Sequence, residues 1–123
     1  LFANGGIMES ILTSIKKLLG IPEDCVDFDT DIIIDINSVF QILGQIGLNP
    51  DVNYSISDKT TTWNDYLQGR CDVEMVKTYV YKKVRLMFDP PINTAVMQAV
   101  KENIAELEWR INAAVDFKGG QNG

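Results

Sequence analysis

The sequence contains no histidine. That removes the commonest general base, the commonest zinc ligand and the base of Ser/His and Cys/His nucleophile pairs. Its two cysteines, Cys25 and Cys71, stand far apart with no CxxC or Cys/His spacing. They fit two buried free thiols in a reducing compartment rather than a disulfide framework. No apolar run approaches the roughly 20 residues of a membrane span. Residues 1–19 lack the small-residue cleavage site of a signal peptide, so a cytosolic protein is expected. Positive charge is also scarce: 11 Lys and Arg against 17 Asp and Glu give a net charge of −6. That is the wrong sign for a domain whose main task is to grip phosphates.

What is present is a chain of 123 residues, one domain's worth and long enough to bury a sizeable core. The segment "LFANGGI" before Met8 has no periodicity and two adjacent glycines. Residues 1–7 therefore read as a tag remnant or flexible arm, residues 8–115 as a single α-helical domain, and residues 116–123 as a flexible, glycine-rich tail.

Hydrophobic periodicity predicts an all-α fold of four main helices and one short one. Ile11, Leu12, Ile15, Leu18 and Leu19 mark the first helix, which stops at Gly20 and Pro22. Ile32, Ile36, Val39, Leu43 and Ile46 mark the second, widened by Ile33 and Phe40, capped by Asp29 or Thr30 and ended by Gly47. The stretch Asn49 to Thr62, "NPDVNYSISDKTTT", reads as one long central loop with room for a short strand over residues 54–57. Thr61 or Thr62 then caps the short helix "WNDYLQG".

Asp72 opens a helix with Val73, Val76, Val80, Val84 and Met87 in its apolar seam, and Asp89-Pro90-Pro91 ends it. Asn93 or Thr94 caps a long last helix whose stripe is Val96, Val100, Ile104, Leu107 and Ile111, running to about Val115.

Three features resemble chemistry. In "VDFDTDIIIDIN", residues 26–37, carboxylates alternate as in a calcium loop. Counted from Asp27, however, the glycine of the sharp turn would be Ile32 and the closing bidentate glutamate would be Ser38, so the motif fails where it is specific. Asp27, Asp29 and Asp31 then serve as helix-start acids, favoured by the dipole. With Glu23, Asp24 and Asp35 they make six acids and no base in residues 23–35, equal to the whole net charge. This is a one-sided acidic surface. The basic run Lys82, Lys83 and Arg85 suits a helix C-terminus, a phosphate patch, or pairing with the acidic segment of a neighbouring copy. Trp109 lies off its helix's apolar stripe, on a face that is wet in a monomer, which points to a protein partner.

The order of parts resembles the head-tail connector proteins of long-tailed phages and prophages. Its markers are Thr62-Trp63 followed by Tyr66-Leu67, "KVRLMFDPP" at 83–91 and "ELEWRIN" at 106–112, and the likeness covers nearly all of residues 8–115. The resemblance implies an adaptor with no catalytic residues, no cofactor and no bound metal. It implies a ring, commonly a dodecamer, on the portal vertex, contacting portal protein and tail-side completion proteins while DNA passes without specific binding. The place implied is the virion, after assembly in the bacterial host cytoplasm and away from any membrane. By the same analogy, residues 49–62 and the tail from Asp116 are expected to be contact elements that order on docking.

Two other functions stay open on the residues alone. A small α-helical DNA-binding regulator would use Lys82, Lys83 and Arg85 beside Asp89-Pro90-Pro91 as a reading head, against the net charge. A magnesium enzyme would need at least two of Asp27, Asp29, Asp31 and Asp35 to converge on a concave site.

Overall fold

The computed structural model describes residues 6–122, with side chains to residue 116. Five helices follow in order: α1 Ile11–Leu18, α2 Asp29–Ile46, α3 Trp63–Leu67, α4 Val73–Phe88 and α5 Thr94–Asn122. Among the described residues there is no strand.

Local chemistry sets most of the boundaries. The Ser10 hydroxyl accepts from the Thr13 amide at 3.1 Å and starts α1. Thr62 and Asp65 close a reciprocal capping box on α3, at 3.2 and 2.9 Å. Asp72 caps α4 by accepting from the Met75 amide at 3.3 Å. Asn93 caps α5 by accepting from the Val96 amide at 3.0 Å. Gly47 ends α2 with φ +100°, a left-handed turn that costs glycine little, and its amide bonds the Leu43 and Gly44 carbonyls.

The start of α2 corrects the expected cap. Phe28 occupies that position with no side-chain hydrogen bond, and Asp29 is already the first helical residue. The Asp29 carboxylate is instead committed to Lys16, whose ammonium lies 2.8 Å away. Lys16 also donates to the Glu23 carbonyl at 3.0 Å, which straps the α1–α2 connection onto α1.

The core lies where α2 and α4 pack together, with α1 against both and α5 chiefly on α4. Ile32, Ile36, Val39, Phe40 and Leu43 bury the expected stripe of α2. Phe40 stacks on Tyr66 with ring centroids 4.1 Å apart, and Trp63 meets Phe40 edge-on at 6.4 Å. The buried Trp63 indole donates to the Ser14 hydroxyl at 2.8 Å, and Ser14 donates to the Ile11 carbonyl at 3.0 Å, so neither polar group is stranded. Tyr79 bridges α4 to α5 by donating to Glu108 at 2.7 Å.

The central loop is built differently from the expectation. Residues 54–57 form no strand. Asn37 of α2 replaces a partner strand: it accepts from the Ile56 amide at 2.8 Å and donates to the Ile56 carbonyl at 3.0 Å. Ile56 is buried beside it. Arg70 donates through Nε to the Leu48 carbonyl at 2.8 Å and through its guanidinium to the Tyr66 carbonyl. Buried Asn49 donates to the Tyr66 carbonyl at 2.9 Å. The loop lies so close to α2 that a Cβ on Gly44 would stand 3.0 Å from the Val52 backbone. Its far end pairs with the start of the chain, through Ile11 to Thr61 at 3.0 Å and Trp63 to Glu9 at 3.1 Å. The segment is thus tied to α1, α2 and α3 at several points.

Other boundaries and exposures also differ. Residues 1–5 lie outside the described residues, and the expected limit at Met8 falls inside a bonded segment, because the Ile7 carbonyl accepts from Asn64 at 2.7 Å. The backbone of α5 stays helical past Val115 to Asn122. Val96 and Met87, both expected in apolar stripes, are exposed, whereas Tyr79 is fully buried with Val76, Val80 and Val84. Cys25 and Cys71 are half-buried rather than buried, and neither is in a disulfide.

Candidate functional site

The carboxylates of the acidic segment part company in three dimensions. Asp29 turns inward to Lys16, which is only 2% exposed, and has a structural role. Asp27 is exposed, and Asp31 and Asp35 line an open groove of about 450 Å³ with Phe28, Ile34, Met87 and Phe88. Helical spacing puts Asp31, Ile34 and Asp35 on one face of α2. Phe28 and Phe88 fix the groove's end, edge to face at 5.6 Å, by joining the start of α2 to the end of α4. Burial first, and the neighbouring Asp31 charge second, raise the Asp35 carboxyl above its ordinary range. Among the described residues, no group of three or more His, Cys, Asp or Glu side chains is placed to hold a metal ion.

The floor of this groove is apolar and wet. Ile34 is 58% exposed, Met87 47% and Phe28 45%. A second hollow of about 130 Å³ continues from it, sharing Met87 and lined by Ser38, Val39, Ile42, Lys83 and Leu86. The surface between α2 and α4 therefore carries carboxylates at one end, hydrophobic side chains in the middle and an ammonium at the other.

Lys82, Lys83 and Arg85 of the basic run are all half-buried, and of the three Lys83 lines the groove. Among the described residues none of the three is in an ion pair. Trp109 lies elsewhere, on the outer face of α5, and is 71% exposed. Its neighbours Glu106 and Arg110 hold each other at 3.2 Å on the same wet side. The chain thus presents two separate exposed surfaces, the α2–α4 groove and the Trp109 turn of α5.

A family model for phage connector proteins matches residues 11–118. The chain belongs to the phage connector protein family. No curated protein and no solved structure matches it. The connector family is one of structural proteins, which implies a non-enzymatic role and contact with phage head or tail components. No helix among the described residues of this connector is long and apolar enough to cross a membrane.

Sequence reasoning located the acids and Trp109 but missed the hydrophobic floor of the groove. Phe28, Ile34 and Phe88 fall off the periodic stripes of their helices, and that mismatch was a usable signal. Met87 gave none, because it sits in phase with the buried valines of α4.

Proposed function

We propose that this protein is a structural head-tail connector of a phage or prophage. It assembles as a ring on the portal vertex and links the head to the tail during virion assembly. The observation that carries this reading is the family match over residues 11–118, joined to two exposed surfaces of unlike chemistry on one subunit. Unlike surfaces on one subunit are what a closed ring requires, since each copy offers one face to the next and a different face to the previous one. The acidic surplus supports the same reading, because DNA passing a negative wall is not held by its phosphates.

The test is the mass of the protein by light scattering at rising concentration, alone and mixed with portal protein, with electron microscopy of the mixture. The expected result is a higher-order complex on the portal. A strict monomer that ignores portal and binds duplex DNA with strong salt dependence overturns the proposal in favour of a DNA-binding regulator.

A further inference from the structure

The α2–α4 groove needs an occupant. On its floor Phe28, Ile34 and Met87 are too exposed to be explained by the fold of one copy, and half-buried Phe88 lies beside them. Its charges run in a fixed order, with Asp31 and Asp35 at one end, apolar side chains between, and Lys83 at the other. One turn of α5 carries the inverse order within five residues: Arg110, Trp109 and Glu106, with the indole the most exposed aromatic side chain of the described residues.

We propose that the groove receives the Glu106–Arg110 turn of α5 from a second copy of this chain. Trp109 lies over Met87 and Ile34, Arg110 faces Asp31 and Asp35, and Glu106 faces Lys83. This rests on the reading of the protein as a self-assembling connector and names the contact through which copies join. The Glu106–Arg110 pair that must open is a surface pair at 3.2 Å, more than half exposed on both sides, so exchanging it for new partners costs little. The indole supplies the large desolvated area typical of an interface anchor.

The contact is between copies rather than within one. Glu108 is bonded to Tyr79, which sets Trp109 level with the middle of α4. Met87 lies about two turns further on, roughly 12 Å along the axis at 1.5 Å per residue. The two surfaces of one subunit are therefore apart, so the contact is made with another copy, and where each copy gives its turn to one neighbour and its groove to another it is of the heterologous, ring-closing type.

The test uses two charge reversals on the full chain, Arg110→Glu and Asp35→Lys, followed by sedimentation velocity at rising concentration. Wild type is expected to self-associate, and each variant alone to associate at least about tenfold more weakly. Mixing the two variants is expected to restore association, because in an alternating assembly the altered helix of one variant meets the altered groove of the other, and the contacts between these pair the unaltered helix with the unaltered groove. Trp109 provides a second readout. Trp63, the other of the two tryptophans, is fully buried, so a blue shift of emission on association reports on Trp109 alone.

Wild type that stays monomeric throughout, variants that associate as well as wild type, or a mixture that fails to recover each overturn the contact. Portal binding by wild type is measured in parallel; its absence overturns the proposed function instead, while the mixing result still judges the contact.

Discussion

Both halves of α2 bury aliphatic side chains, but the first also carries Asp29, Asp31 and Asp35 and the second carries no charge, and their surroundings are opposite. From Phe40 to Gly44 the helix is roofed by the central loop and α3: Tyr54, Trp63 and Tyr66 surround Phe40, and Val52 lies against Gly44. Toward the start of the helix no described residue covers Ile34, which is 58% exposed two residues before the fully buried Ile36. The same residue type is core or surface according to what lies above it, and the uncovered half is where a partner has room to bind.

The comparison breaks most severely at the roofed end. Trp63→Ala removes a fully buried indole and its hydrogen bond to the Ser14 hydroxyl, and about 3–5 kcal/mol of stability is expected to go. A urea titration followed by far-ultraviolet circular dichroism measures it, and a loss below about 1 kcal/mol, the scale of a single hydrogen bond, contradicts the roofing account.

Asn37→Ala is the next largest. It leaves both polar groups of the Ile56 backbone without their partner and is expected to cost about 1–3 kcal/mol. Hydrogen exchange at the Ile56 amide is expected to accelerate before that of α4 amides, since the loop opens ahead of the core. Uniform acceleration across the chain argues that the loop and core unfold as one unit.

At the open end, Ile34→Ala is expected to change stability by no more than about 0.5 kcal/mol, because the side chain is already largely in water. The identical substitution at Ile36 is expected to cost about 2–5 kcal/mol. Equal losses at the two positions erase the contrast between the halves of α2.

The five helices were legible in the sequence because periodicity and stop signals are local: the α2 stripe and Gly47, the α3 capping threonine, Asp72, and Asp89-Pro90-Pro91 all act within a turn or two. Trp109 was legible for the same reason, since helix phase alone puts it outside. Partners distant along the chain were not. The Asp29 carboxylate looks like a cap until Lys16, on another helix, lies 2.8 Å from it. Asn37 reads as an ordinary polar residue on a helix until Ile56 reaches it from the loop. The groove was hidden because Met87 and Phe88 become its floor only when the end of α4 arrives beside the start of α2.

The smallest effect belongs to Asp35, and its sign separates the open end from the ion pair at Asp29. Burial, then the charge of Asp31, raises the folded-state pKa of Asp35 above its unfolded value. The folded chain therefore holds this proton more readily than the unfolded chain. The stabilisation from Asp35 is fully present below the ordinary carboxylate range, near about pH 4, and is lost as pH rises through the folded-state value. At neutral pH the ionised Asp35 opposes folding, so Asp35→Asn is expected to raise stability, by no more than about 0.5 kcal/mol at this partly exposed site. The gain is expected to shrink on acidification, as Asp35 in the wild type becomes neutral as well. Asp29→Asn is expected to do the reverse at neutral pH, because it removes the countercharge of the buried Lys16 ammonium and leaves it only neutral acceptors such as the Glu23 carbonyl, at a cost of about 2–3 kcal/mol. Urea midpoints of the two variants at neutral and acid pH decide it: shifts in the same direction at neutral pH would mean that Asp35 has a cationic partner within its own chain and that the groove is not an uncompensated acidic surface.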